Sequence, residues 1–416
     1  MKLVKPDYYD EFRCIANDCP FTCCQAWKIT VDKDTKKKWG SLKVPKEMNS
    51  SKKMLKDFVK KVEDVEAIKL LDNGNCPFLD ENKLCHIVKT YGESAISHTC
   101  HTFPRETHAF ENRTELSLTM GCPVALDLLW SRDEFTWLEC DDSKEHENSK
   151  EHENSKEHEN SKEHENSKEH ENRMEKSMAY DVNPLYYEMR TEFCNLMKNH
   201  AYTIPEALKM IFFMMLSWDE KEQSGEEITE QDIADAFSSD FLEQLKAAVD
   251  DVKQGATDNF MEQNELFLDL AENYRKKNIY TKVLEPLAKR AELYEDESQA
   301  AIATAKRSEF EKVLSSYDKE LRLLMTEELF STLILPETDM YTMLLKVQWL
   351  AMTYAVLKQC LFLFWDENES LSVEEIKQIV VVIIRMTGYT EADIEEYLEN
   401  CFEEIIWDWG YMALIV

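Results

Sequence analysis

The pattern of apolar and polar positions splits the chain in two. From Met178 onward apolar residues recur at three- and four-residue intervals, the spacing of one face of an α-helix. Leu185 to Met197, Ile204 to Ser217, Thr229 to Val249, Phe260 to Lys277 and Phe310 to Leu324 each carry such a stripe. Pro205 suits a helix start, where its missing N–H has no bond to lose. A long apolar helix is expected between Pro336 and Trp365. Ser372-Val373-Glu374-Glu375 is a capping box for a helix through Met386 that stops at Gly388. Thr390 to Asp393 opens a last helix towards Trp407. Short loops between such helices predict an antiparallel bundle. The most apolar stretch, Met343 to Trp365, contains Lys346, Gln348, Lys358 and Gln359, which predicts a buried helix rather than a membrane span.

The first third has a different rhythm. Ile29 and Val31 alternate with polar neighbours and predict a short strand. Met54, Leu55, Phe58, Val59, Val62 and Val65 predict an amphipathic helix. Ile68 to Leu71 and Asn75 to Leu79 flank Asp72-Asn73-Gly74, a hairpin signal, because Asn-Gly supplies the positive φ angles of a tight turn. A turn at Asp80 to Lys83 leads into a short helix ending near Gly92. A second hairpin is expected over Thr107 to Met120, turning at Glu111 to Arg113. Cys122-Pro123 then opens a helix, Val124 to Trp130. The fold class expected is α+β: a small loop-rich cysteine-cluster metal-binding domain (1–142), followed by a mostly α-helical domain (173–416).

Between them, residues 143–172 are five copies of Ser-Lys-Glu-His-Glu-Asn. With no apolar residue this array cannot bury a face and reads as a linker. Its five histidines do not share a helix face, because a six-residue step turns them around the cylinder.

Charge sharpens the division. Of 416 residues, 82 are acidic and 49 basic, a net charge of -33. Residues 1–140 are close to neutral, so the excess acidity lies beyond them and disfavours nucleic acid as a partner of that half. Eleven lysines between Asp32 and Lys61 predict a solvated face. A docking surface for an acidic protein is the sharper alternative. Eight glycines in all leave little room for Gly-rich nucleotide loops. The N-terminus has no apolar signal-peptide core, so a cytoplasmic protein with no membrane partner is expected.

Candidate chemistry is concentrated in cysteine. Cys14, Cys19, Cys23 and Cys24 come first, and Cys76, Cys85, Cys100 and Cys122 follow. In a reducing compartment such clustering points to metal or redox chemistry rather than disulfides. Converging thiolates suit tetrahedral zinc or an iron–sulfur cluster. The spacings C-x4-C-x3-C-C and C-x8-C-x14-C-x21-C match no zinc-finger, ferredoxin or C-x3-C-x2-C template, since Ala26 stands where the last would need cysteine. All eight are candidate metal ligands, with His86, His98, His101 and His108 as nearby extras.

These residues also carry a family pattern. It consists of F-x-C-x4-C-x3-C-C-x2-W at Phe12 to Trp27, CPFL at Cys76 to Leu79 and LC at Leu84-Cys85. T-C-x-T-F-P-R follows at Thr99 to Arg105, and L-S-L-T-x-G-C-P at Leu116 to Pro123. The sequence resembles the bacterial flagellin lysine-N-methylases, themselves related to zinc- or iron-chelating cysteine-cluster proteins. PLYYEMRTEF and the helical tail extend the likeness, and the hexapeptide array departs from it as an insertion.

The resemblance implies methyl transfer from S-adenosylmethionine to lysine ε-amines of flagellin or another protein, with an associated iron–sulfur cluster or, alternatively, zinc. No strand followed by G-x-G-x-G is present, so the cofactor would need another device. An amine must lose its proton before attacking a methyl sulfonium, which requires a base. Tyr8, Tyr9, Tyr91, His101 and the acidic tail are candidates, and Arg105 is a candidate for holding a carboxylate or a structural ion pair. The rival reading is a non-enzymatic zinc- or iron-binding adaptor.

Overall fold

The computed structural model describes residues 2–62, 65–141, 181–251, 256–402 and 407–416, and the hexapeptide array lies outside them. The chain is α+β. A four-stranded sheet has the order β4-β5-β1-β6. Its strands are β1 (Lys2–Pro6), β4 (Arg105–Ala109), β5 (Arg113–Leu118) and β6 (Trp137–Asp141). The expected second hairpin is β4 and β5, antiparallel with Glu106 opposite Ser117 and His108 opposite Glu115. Strands β1 and β6 were not anticipated. β1 runs parallel to β5 and antiparallel to β6, so the N-terminus closes a sheet with residues more than a hundred positions away.

Between β1 and β4 lies a smaller unit. The expected helix over Met54 to Val65 is corrected. A short 3-10 turn (Leu55–Phe58) runs into β2 (Val59–Val62), which pairs with β3 (Val65–Ile68). Three valines, stiff at χ1, favour the pleated arrangement and override the apparent period. The helix in this stretch comes earlier, at α1 (Lys33–Trp39), where the Asp32 side chain accepts from Thr35 N at 2.8 Å. Ile29 and Val31 do not form a full strand. Thr30 makes a single bridge to Ala67, with Val31 N donating to Glu66 O and Ile68 N to Ile29 O.

The Asn-Gly turn forms, with Gly74 at φ 76° and its N–H on Leu71 O. The register of its arms differs from expectation. Ile68 pairs back to Val59, while Asn75 bridges Gln25. Helices α2 (His86–Tyr91) and α3 (His98–Thr102) complete the unit, while α4 (Pro123–Trp130) follows β5, packs on the larger core and leads to β6. The first and last of these match the expected positions.

The second half is helical as expected, with α5 (Pro184–Lys198), α6 (Ile204–Gln223), α7 (Glu230–Ala236) and α8 (Ser239–Asp251). The single helix expected over Thr229 to Val249 is two. Ser238 breaks it, accepting at its hydroxyl from Phe241 N and donating to Asp235 O. Next come α9 (Ala256–Lys276), α10 (Thr281–Glu292), α11 (Glu297–Ala305) and α12 (Arg307–Leu314). The last five are α13 (Asp318–Leu333), α14 (Met340–Asn368), α15 (Val373–Thr387), α16 (Glu391–Phe402) and α17 (Trp409–Ile415). A 3-10 turn at Ser315–Tyr317 splits the helix expected over Phe310 to Leu324.

α14 is the axis of the bundle. It is long and apolar enough to cross a membrane, yet 89% of its apolar window is buried within the protein, as in a core helix.

Two cores result. The larger joins Tyr8, Phe110, Leu118 and the inner side of α4 to the helices α5 to α17. The smaller gathers Ile29, Trp39, Phe58, Ile68, Phe78 and Ile87. Sheet and bundle therefore share one apolar interior, and the cysteine-bearing unit has its own.

Candidate functional site

The cysteines reach the border of the two cores by distinct routes. Cys23 and Cys24 follow a 3-10 turn, and Trp27 Nε1 donates to Cys23 O to hold the segment. Cys76 N donates to Cys24 O at 2.8 Å, so the first and second groups are backbone neighbours. Cys85 and Cys122 are the N-cap residues of α2 and α4. There the free backbone N–H groups of the first turn favour thiolate. Cys100 lies inside α3.

The thiols form one electrostatically connected group. Burial pushes Cys76 up, and Cys100, Cys85 and Cys23 add to it. Cys100 is pushed up to about 11 by burial, with Cys85 and Cys23 contributing. Cys122 is pushed up to about 11 by burial, with Cys19 adding and Arg385 opposing. Cys23 is raised first by a hydrogen bond with Cys24 and then by burial. Cys14 and Cys23 both act on Cys19, which burial also raises.

All of these cysteines are free. Among the described residues no three His, Cys, Asp or Glu side chains are grouped so as to hold a metal ion. The donor set nevertheless suits one chemically. It is all sulfur, from buried Cys76 and Cys122 through five half-buried thiols to exposed Cys14, mutually repelling when ionised, with helix N-termini at two members, and a bound cation would relieve that repulsion.

Arg385 of α15 reaches into this group from the bundle. Its Nε donates to Gly121 O and its Nη1 to Thr22 O, each at 2.7 Å. The guanidinium also lies 5.8 Å from the Phe21 ring centre. The bundle thus grips the backbone beside Cys23 and Cys122.

The remaining sequence candidates scatter. His98 and His101 are exposed, and His86 lines a surface cleft of about 450 Å³ with Glu47, Asp80 and Lys89. Tyr91 donates to Lys43 O, a structural bond. Among the described residues Arg105 pairs with no carboxylate. It lies 4.8 Å from the Phe12 ring centre and donates to Phe12 O.

Tyr8 and His108 are brought to a place the sequence did not disclose, the inner face of the sheet against α5, α13 and α14. Arg190 of α5 there makes a bidentate pair with Glu115 of β5, both bonds 2.7 Å, and donates to Phe330 O at 2.9 Å. Beside that pair, Tyr8 faces Glu327 of α13, and both side chains are fully buried. Burial raises Glu327 well above the usual carboxyl range, with the Glu328 charge adding. Glu328 is pushed up to about 8 by burial and Glu106. Burial raises Glu106 of β4 as well. The helical half hid these glutamates, because Glu327 and Glu328 sit in a helix with buried residues on nearly every side.

The class follows from this arrangement: a cysteine-rich α+β head fused through a shared core to a helical bundle. A profile of the FliB lysine N-methylase C-terminal domain matches residues 190–415. The chain is similar to Flagellar biosynthetic protein FliU of Salmonella muenchen, 38% identical over 122 residues, 29% of this chain and 72% of that one. It is 38% identical over 122 residues to the Lysine-N-methylase of Salmonella typhimurium strain LT2 and to that of Salmonella choleraesuis strain SC-B67. In both the match spans 29% of this chain but 30% of the relative's length. No solved structure matches. The chain belongs to the FliB lysine N-methylase family, a family of lysine methyltransferases.

Proposed function

We propose that this protein is a protein-lysine N-methyltransferase acting on flagellin or another protein, in the cytoplasm, with S-adenosylmethionine as methyl donor. The observation that carries the reading is the match of the whole bundle, residues 190–415, to the lysine N-methylase C-terminal domain. The relative named for flagellar biosynthesis supports flagellin as the substrate class. Cys14, Cys19, Cys23, Cys24, Cys76, Cys85, Cys100 and Cys122 would hold the metal centre, an iron–sulfur cluster or zinc. Bound there, it would supply electron transfer or Lewis-acid polarisation.

The chain's own part is to fix the thiol segments through Arg385 and to exclude water from the carboxyls under the sheet. A lysine must reach the methyl donor as the free amine, which requires a proton acceptor within reach of its Nζ.

The test is the intact mass of flagellin after incubation with S-adenosylmethionine and reduced protein purified without oxygen. Mass steps of one methyl are expected, and an unchanged mass overturns the proposal. Absorption and metal content of the same sample separate a brown iron–sulfur protein from a colourless zinc one.

A further inference from the structure

Between Asp32 and Lys61 stand eleven lysines and four carboxylates, in a chain whose net charge is -33. The fold sorts that run by polarity. Trp39, Leu55 and Phe58 turn into the smaller core, which they share with Cys76. Lys37, Lys43, Lys46, Lys53, Lys56 and Lys60 are all exposed, and among the described residues none of these six makes an ion pair. Lys36, by contrast, is held 2.6 Å from Glu66. Two of the four carboxylates are engaged with backbone. Asp32 caps α1 and accepts from His98 N at 3.1 Å, and Asp57 accepts from Met54 N at 3.0 Å and Lys53 N at 3.2 Å.

These lysines form one surface. Segments 42–44 and 53–55 lie side by side: Lys43 bridges Met54, while Val44 N donates to Lys53 O and Leu55 N to Leu42 O, each at 3.0 Å. Lys56 reaches the end of α1, where a Cβ added at Gly40 would stand 3.6 Å from its Cδ. Beyond the 3-10 turn, β2 continues the face with Lys60. Lys52 lies across the Phe58 ring, its Nζ 3.9 Å from the centre, and burial together with the Lys69 charge lowers its proton affinity. Like charges gathered on one face repel one another and draw in anions.

The composition of the face selects its partner. Between Asp32 and Lys61 there is no arginine, the residue that grips phosphate through two parallel bonds. The rings of the run, Trp39 and Phe58, are 1% and 6% exposed, so no aromatic platform is offered to nucleic-acid bases. Ammonium groups on flexible stems act as point charges and suit the spaced carboxylates of a protein chain.

We propose that this lysine face docks an acidic segment of the substrate protein, so that the lysines modified lie near Asp- and Glu-rich sequence. The inference rests on the lysine methylase reading for the partner's role as substrate, while the binding itself does not depend on methyl transfer. The face belongs to the unit that carries Cys76, Cys85 and Cys100, so docking brings the substrate to the cysteine-bearing half of the molecule. The acidic helical half repels the same segment, but a Debye length of about 8 Å screens that repulsion away from the lysine face.

The test is fluorescence anisotropy of the full chain with a labelled peptide rich in Asp and Glu around a single lysine, and with its Asn and Gln counterpart. The acidic peptide is expected to bind at least about tenfold more tightly, and to weaken as salt rises from about 50 to about 200 mM. Lys37→Glu, Lys53→Glu and Lys56→Glu combined should weaken it about tenfold or more with little change in melting temperature, since all three side chains are exposed. The same number of reversals on exposed lysines of the bundle, Lys277→Glu, Lys282→Glu and Lys312→Glu, should leave binding at the wild-type level. Should the first variant fold poorly, Lys37→Gln, Lys53→Gln and Lys56→Gln combined make the same prediction. Equal binding of the two peptides, or a reversed face that binds like the wild type, overturns the proposal. Tighter binding of a single-stranded oligonucleotide or of phosphatidylglycerol vesicles, lost with the same three reversals, overturns the assignment to a protein partner. Acidic-peptide binding without methyl transfer to flagellin leaves the docking face standing and removes the enzymatic reading instead.

Discussion

Replacing Arg190 by Met should be among the most damaging single changes in the protein. Arg190 and Glu115 are each only 3% exposed, and two 2.7 Å bonds join them. Methionine keeps the stem packing near Phe330, whose ring centre is 4.3 Å from the guanidinium. It leaves the Glu115 carboxylate, on an internal strand between β4 and β1, to the more distant Arg113 Nη1 at 3.6 Å. It also removes the donor to Phe330 O. Breaking a buried pair from one side costs about 3–5 kcal/mol, because the surviving charge stays desolvated.

The assay is urea unfolding followed by tryptophan fluorescence and far-UV circular dichroism, on the wild type, Arg190→Met, Glu115→Leu and the double variant. The double variant should recover most of the loss, since an apolar pair leaves no orphaned charge. A loss below about 1 kcal/mol for Arg190→Met, the range of exposed ion pairs, would refute the placement of this pair in the interior.

Three further outcomes are expected. Asp366 receives bonds from Lys306, Tyr294 and Arg290; burial pushes its pKa up, but these donors outweigh it and hold the carboxyl below its usual range. A depressed folded-state value means the stabilisation is fully present above the unfolded pKa of about 4 and disappears as pH falls through the folded value. Asp366→Asn should lower the melting temperature at neutral pH and flatten its decline in acid. Gly74→Ala should destabilise by roughly 1–3 kcal/mol in urea titration. Its φ is 76°, and a Cβ would sit 2.7 Å from Ile279 Cδ1. Arg385→Met should free the Thr22 and Gly121 carbonyls and reduce the metal retained per chain after anaerobic purification, while far-UV circular dichroism stays unchanged.

Legibility followed the range of the interaction. Helix ends were readable where a cap is local: the Ser372 capping box and Pro123 at the start of α4 stand where expected. The Asn73-Gly74 turn was readable because φ is a property of the residue, yet its strand register was not, because Ile68 chose Val59 over Asn75. The run from Met54 to Val65 misled because an apolar period describes only one chain face. Pairing of Val59 with Ile68, which the apolar period of one segment does not encode, decided for strand. β1 and β6 were invisible for the same reason, each short and polar on one side until the other lay beside it.

By itself, then, the sequence determined the helical half, the hairpin of β4 and β5, the crowding of eight cysteines and the family. These rest on periodicity, local capping and motif spacing, which act within a few residues. Only the tertiary structure decided that sheet and bundle share a core and that Arg385 clasps the thiol segments. It also set Tyr8, just after β1, against Glu327 of α13. Burial and electrostatic coupling are properties of space rather than of order along the chain, and a glutamate shows its altered proton affinity only after its neighbours have closed around it.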